Sequence, residues 1–129
     1  MAKITEDYVS FETAKLLKEK GFDASEIDAY FPFVYYSNGK MDFYDDDRPL
    51  FVCEAVTLQM ACKWLRIKHN LSVEVYRTAC GYIGCIVNIP SGTDIKFLEE
   101  DGDDLPSGQY TKWEYACEAA IKYCLENLI

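Results

Sequence analysis

Two periods of apolar residues alternate along this chain, one helical and one strand-like. Ser10-Phe11-Glu12-Thr13 opens a helical pattern in which Phe11, Ala14, Leu16 and Leu17 share one side, and Gly21 stops it after about three turns. Residues 22 to 29 read as a loop. A strand pattern follows over Phe33-Val34-Tyr35-Tyr36-Ser37 and again over Lys40-Met41-Asp42-Phe43-Tyr44, separated by Asn38-Gly39, a dipeptide that favours a type I′ turn. With Ser37 opposite Lys40, a two-residue hairpin places Val34, Tyr36, Met41 and Phe43 on a core face. Phe33, Tyr35, Asp42 and Tyr44 then fall on the other.

A second helix is expected from about Glu54 to His69, with Val56, Met60, Ala61, Trp64 and Leu65 as its stripe. Glu54 near its start and Lys63, Arg66, Lys68 and His69 near its end suit the helix dipole. Leu71 to Arg77 alternates, with Leu71, Val73 and Val75 inward; Gly81 to Ile89 continues as a strand, and Ile95 to Leu98 adds a short edge. The acidic stretch Glu99 to Gly108 reads as a loop, and Thr111-Lys112-Trp113-Glu114 matches a capping box. The last helix should bury Trp113, Ala116, Cys117, Ala120, Ile121, Cys124 and Leu128, with Cys117 and Cys124 on one face. The expected order is α-β-β-α-β-β-(β)-α in a single domain, residues 1–129. That order predicts an α+β fold with an antiparallel sheet of four to five strands packed by three helices.

Several of these runs carry a resemblance. Thr57-Leu58-Gln59-Met60-Ala61-Cys62-Lys63-Trp64-Leu65-Arg66, the opening around Val9 to Phe22, and the ending Ala116 to Glu126 resemble short uncharacterised proteins of gut Bacteroidetes genomes and their mobile elements or phages. They cover about half of the chain. The resemblance implies a bacterial or phage origin and no chemistry, because the shared runs are helix and core patterns.

Composition narrows the picture further. Half of the 129 residues are apolar or aromatic, enough for a chain of this length to bury a core without staples. The formal charge is -9. Nearly all of it resides in two segments, Asp42 to Arg48 and Asp94 to Asp104, whose only basic residues are Arg48 and Lys96. The N-terminal stretch turns acidic at once, and no apolar window approaches the roughly 18 residues of a membrane span, so a cytoplasmic protein is expected. The six cysteines are accordingly read as reduced thiols.

Chemistry is thinly signalled. Glu99 to Asp104 is rich in oxygen donors, but an EF-hand loop begun at Asp101 meets Leu105 and Pro106 where a ligand and a glycine are needed. A solvated acidic loop is the simpler reading. Cys80 and Cys85 are the nearest thiols, and a spacing of five on a strand sends them to opposite faces, which does not make a zinc site. His69 is the only imidazole, and no nucleophile motif accompanies it. The glycines form no phosphate-binding loop, and the acidic segments disfavour direct contact with nucleic acid. No cofactor, metal ligand or catalytic residue is therefore assigned.

The residues point instead to a non-catalytic protein-interaction or accessory module, binding a protein partner or a second copy of itself. Phe33, Tyr35 and Tyr44 would supply its aromatic face and Asp45, Asp46 and Asp47 its polar rim. The first helix covering those aromatics is the competing arrangement. Two other functional classes stand beside it: an acidic mimic of nucleic acid that inhibits a DNA-binding protein, and a small enzyme using His69 or acidic pairs.

Overall fold

In the computed structural model, which describes residues 4–28, 31–48, 50–99 and 109–129, Ser10 caps the first helix. Its Oγ accepts from the Thr13 N–H at 3.3 Å, and α1 runs over Phe11–Glu19. Gly21, at φ 104°, ends it in a Schellman arrangement: Gly21 N–H donates to Lys18 O and Phe22 N–H to Leu17 O, at 3.2 and 2.9 Å. Leu17 and Phe22 are both buried, the apolar contact pair that accompanies this motif.

The described chain divides into two units, Met1–Thr57 and Leu58–Ile129. In the first, β1 (Phe33–Tyr35) lies between β2 (Met41–Phe43) and β3 (Cys53–Glu54), all antiparallel. Val34, Tyr35 and Tyr36 are buried in succession, so this central segment is covered on both faces. All three residues of β2 are exposed at the edge. Val9 N–H donates to Val56 O at 2.9 Å, tying the N-terminal segment beside β3.

The hairpin register differs from expectation by one residue. Phe33 pairs with Phe43, Val34 with Asp42 and Tyr35 with Met41, while Tyr36 N–H donates to Lys40 O at 3.2 Å and Gly39 N–H to Tyr36 O at 2.9 Å. The connection is thus Ser37-Asn38-Gly39, with Gly39 at φ 79°, the three-residue loop that ends in a left-handed residue. Phe33, Tyr35, Met41 and Phe43 consequently share one face and Val34 and Asp42 the other, since directly paired residues point the same way.

In the second unit, α2 spans Leu58–His69. It begins four residues later than the pattern predicts because the preceding backbone is engaged elsewhere: Cys53 and Glu54 pair with β1, and Ala55 N–H donates to Phe33 O at 3.0 Å. Leu58, Ala61, Cys62, Trp64 and Leu65 are its buried residues. Asn70, at φ 55°, turns the chain out of the helix into β4 (Leu71–Arg77). β4 pairs with β5 (Tyr82–Asn88), and β5 with β6 (Thr93–Leu98) through a bulge at Ile86/Val87. The fold is α+β, but among the described residues the strands form two three-stranded antiparallel sheets instead of one of four to five. Both central strands, β1 and β5, have their two edges taken by neighbours close in sequence.

The last helix, α3 (Trp113–Tyr123), continues as one π-helical turn over Cys124–Leu128. Its N-cap is Lys112, without a side-chain hydrogen bond, so Thr111 does not form the expected capping box. Ala116, Cys117, Ala120, Ile121, Cys124 and Leu125 are buried, whereas Trp113 is exposed. Small residues let α3 approach β5 closely. A Cβ on Gly84 would sit 3.0 Å from the Ala116 carbonyl oxygen and 3.5 Å from Ala120 Cβ.

Gly84→Ala should therefore destabilise the protein by about 1–3 kcal/mol through overpacking against helix backbone. A lower midpoint in urea with an unchanged slope is the expected result, and a wild-type midpoint would show that the helix yields freely at this point.

Candidate functional site

The hairpin edge and the acidic segment after it form one structure built around Tyr36. This side chain is buried, yet its hydroxyl reaches the loop: it donates to Phe43 O at 2.9 Å and accepts from Asp45 N–H at 3.1 Å. Arg48 sits over the same ring, its Cζ 3.8 Å from the centroid, and pairs with Asp42 at 2.9 Å. Cation–π contacts at exposed sites contribute about 0.5–1 kcal/mol and surface ion pairs about as much or less. Here the guanidinium makes both at once.

The loop itself is turned by its own carboxylates. Asp45 Oδ1 accepts from Asp47 N–H at 2.9 Å, and Arg48 N–H donates to Asp45 O at 3.2 Å, closing a tight turn. Tyr44 stacks edge-on against Phe51 at 5.7 Å, and its hydroxyl donates to the Asp46 carboxylate, which raises the phenol above its ordinary value. Tyr36, Tyr44, Asp45, Asp46, Arg48, Leu50 and Phe51 enclose a cavity of about 60 Å³. That is far below the several hundred Å³ of a typical small-molecule site, so this region offers an outer surface more than a ligand pocket.

The sequence-expected interface residues divide between interior and surface. Asp45, Asp46, Asp47 and Tyr44 are exposed. Tyr35 is only 8% exposed; its ring lies 5.4 Å from Phe11 of α1 and its hydroxyl donates to Val9 O at 2.5 Å. It anchors the N-terminal segment and contributes nothing to an outer face. Phe33 is half-buried, between Tyr8 at 5.7 Å and Phe43 at 4.6 Å. The apolar surface passes instead to Phe43, which with Met41 was expected on the core face but is 62% exposed because β2 is an edge strand, and to Leu50 at 92%, beside Tyr44 at 54%.

The edge of β2 is blunted where it could accept another strand. Phe43 N–H is taken by Asp42 Oδ1 at 2.8 Å, and Phe43 O by the Tyr36 hydroxyl. With both of its backbone groups committed, side chains and not strand addition would make contact at this position.

Elsewhere, His69 ends α2 with its ring 4.8 Å from Trp64. Of the second acidic segment, residues 100–108 lie outside the described residues, and with them Asp101, Asp103 and Asp104. Among the described residues, no three His, Cys, Asp or Glu side chains come together as a metal-binding group, and no helix is long and apolar enough to cross a membrane. Comparison of the chain with protein-family models, curated proteins and solved structures finds no match.

Asp42 supplies the pH dependence of this loop. The Phe43 N–H hydrogen bond is the main cause holding its carboxyl below the usual value, and Arg48 adds to it. A depressed folded value means that the carboxylate's stabilising contribution is complete above the unfolded carboxylate range. It is lost as pH falls through the folded value. Arg48→Met should restore the Asp42 midpoint only part of the way, as read by NMR titration of its carboxyl carbon. Full restoration would make the ion pair, and not the backbone donor, the principal cause.

Proposed function

We propose that this protein is a non-catalytic interaction module that binds a partner protein through the hairpin edge and its acidic loop. The observation that carries the reading is the set Phe43, Tyr44 and Leu50, exposed large apolar side chains next to a loop pinned by Tyr36 and Arg48. Binding surfaces commonly join a rigid aromatic centre to a polar rim, because a preorganised patch loses little entropy on docking.

Charge selects the kind of partner. Asp45, Asp46 and Asp47 border the apolar set, and the chain as a whole carries -9. A two-fold dimer through this surface would bring the same acidic rim toward itself and be opposed by repulsion. The fitting occupant is a different protein with an apolar patch ringed by Lys or Arg. A cytoplasmic setting in a bacterium or its phage belongs to the same reading, supported by the likeness of the helical runs.

The test places a photoreactive phenylalanine analogue at position 43 or 50, with position 76 as an exposed control on β4. Illumination in the native host should yield one adduct of defined mass from 43 and 50, absent from 76. Tyr44→Ala should weaken the adduct from 43, and so should replacement of Asp45, Asp46 and Asp47 by Asn. Equal labelling from all three positions, or a purified chain that dimerises through position 43, would sink the proposal.

A further inference from the structure

A second site, sharing no residue with the hairpin, lies where α2 meets α3. Cys62 and Cys117 approach to 3.6 Å between their Sγ atoms. This is van der Waals contact for sulfur, and a disulfide would require the pair to close by roughly 1.5 Å to the ordinary bond length of about 2.05 Å.

The pair is not sealed. Cys62 retains 8% exposure and Cys117 only 1%, and both residues line an open pocket of about 310 Å³ together with Gln59, Arg66, Val73 and Trp113. That volume is at the small end of ligand sites. Arg66 stands one helical turn after Cys62 and brings a permanent positive charge to the pocket.

We propose that Cys62 and Cys117 form a reversible dithiol–disulfide couple, oxidised by a low-molecular-weight disulfide that carries a carboxylate and is drawn into the pocket by Arg66. In the first step the Cys62 thiolate, its proton released to solvent, attacks one sulfur of the small disulfide RS–SR. The S–S bond breaks, RS⁻ departs and takes up a proton, and Cys62 is left as a mixed disulfide. Cys117 then loses its proton and attacks Cys62 Sγ. The second RS⁻ leaves and is protonated as the Cys62–Cys117 bond forms. Two protein thiols are oxidised, and one RS–SR is reduced to two RSH.

The surroundings favour Cys62 as the attacking group. Its thiol is shifted downward, chiefly through its hydrogen bond with Cys117, which can donate to a Cys62 thiolate, and also through the Arg66 charge, against the opposing effects of burial and Glu74. The other buried thiols contrast with it. Burial pushes Cys124 up to about 12, while Cys85 is raised to about 11 by burial and by Asp94. Both remain protonated at neutral pH and are poor nucleophiles.

The experiment uses the full chain with the exposed Cys80 replaced by Ser, treated at neutral pH with oxidised glutathione as the carboxylate-bearing probe and with cystamine as a probe without carboxylates. Intact mass should fall by about 2 Da, peptide mapping should join Cys62 to Cys117, and dithiothreitol should reverse the change. Cys117→Ser should stop the reaction at a mixed disulfide on Cys62, and Cys62→Ser should abolish it. In case those serine variants fold poorly, Arg66→Gln provides a surface change: it should slow oxidised glutathione by about tenfold while leaving cystamine unaffected or faster. A stable adduct on Cys62 with Cys117 intact, a disulfide through other cysteines, or no reaction in the folded chain would overturn the couple. Equal slowing of both probes by Arg66→Gln would overturn the role of the carboxylate.

Discussion

The hydrogen bond from Tyr36 N–H to Lys40 O fixes the register of the hairpin, and most of the first unit's surface depends on it. Because side chains alternate along a strand, this closure decides which residues of β2 stand beside which residues of β1. Gly39 makes the closure feasible in two ways. It adopts a φ of 79°, and it leaves room for Phe11, whose ring would come within 3.3 Å of any Cβ placed there. The loop is therefore shaped by α1 as well as by its own sequence.

Register then becomes chemistry through one buried phenol. The Tyr36 hydroxyl reaches beyond the hairpin to hold Phe43 O and Asp45 N–H, and its ring supports Arg48. Arg48 is the only base within its acidic segment. Were it solvated and mobile, four carboxylates would repel one another with little to order them; laid on the ring and paired with Asp42, it neutralises part of that repulsion at a fixed position. The acidic loop is thus an organised continuation of the sheet. The same network occupies the backbone of Phe43 and leaves its side chain outside.

Local signals were legible in the sequence wherever a few adjacent residues sufficed. Ser10 and Gly21 bracket α1 as their chemistry requires, and β4 alternates over its observed span. The hairpin was legible as a hairpin, but Asn38-Gly39 is compatible with a two-residue or a three-residue loop, and the choice rests on contacts with Phe11 and Tyr36. β3 was not legible. Two residues, Cys53 and Glu54, show no period, yet their pairing gives β1 a second neighbour, and Tyr35, which an alternating reading places off the core face, is buried against Phe11 with its hydroxyl on Val9 O. In the site itself the acidic rim could be located from composition, whereas Phe43 and Leu50 gained their exposure from register and loop path. Arg48 gave the one available clue, a lone base among acids.

Packing in the second unit follows from small side chains. Gly84, Ala116 and Ala120 bring α3 against β5, and Ala61 lies on the buried side of α2. Close approach leaves thiols from the two helices in contact, since cysteine fits where a longer apolar side chain would overpack. The seven-residue spacing of Cys117 and Cys124 placed them together on α3, but only the tertiary arrangement distinguishes them. Cys117 meets Cys62 at a pocket that contains a guanidinium, while Cys124 is fully enclosed. Two cysteines one heptad apart on one helix thus have different chemistry, because burial alone favours the neutral thiol, whereas a donor and a nearby positive charge favour the thiolate of the partner.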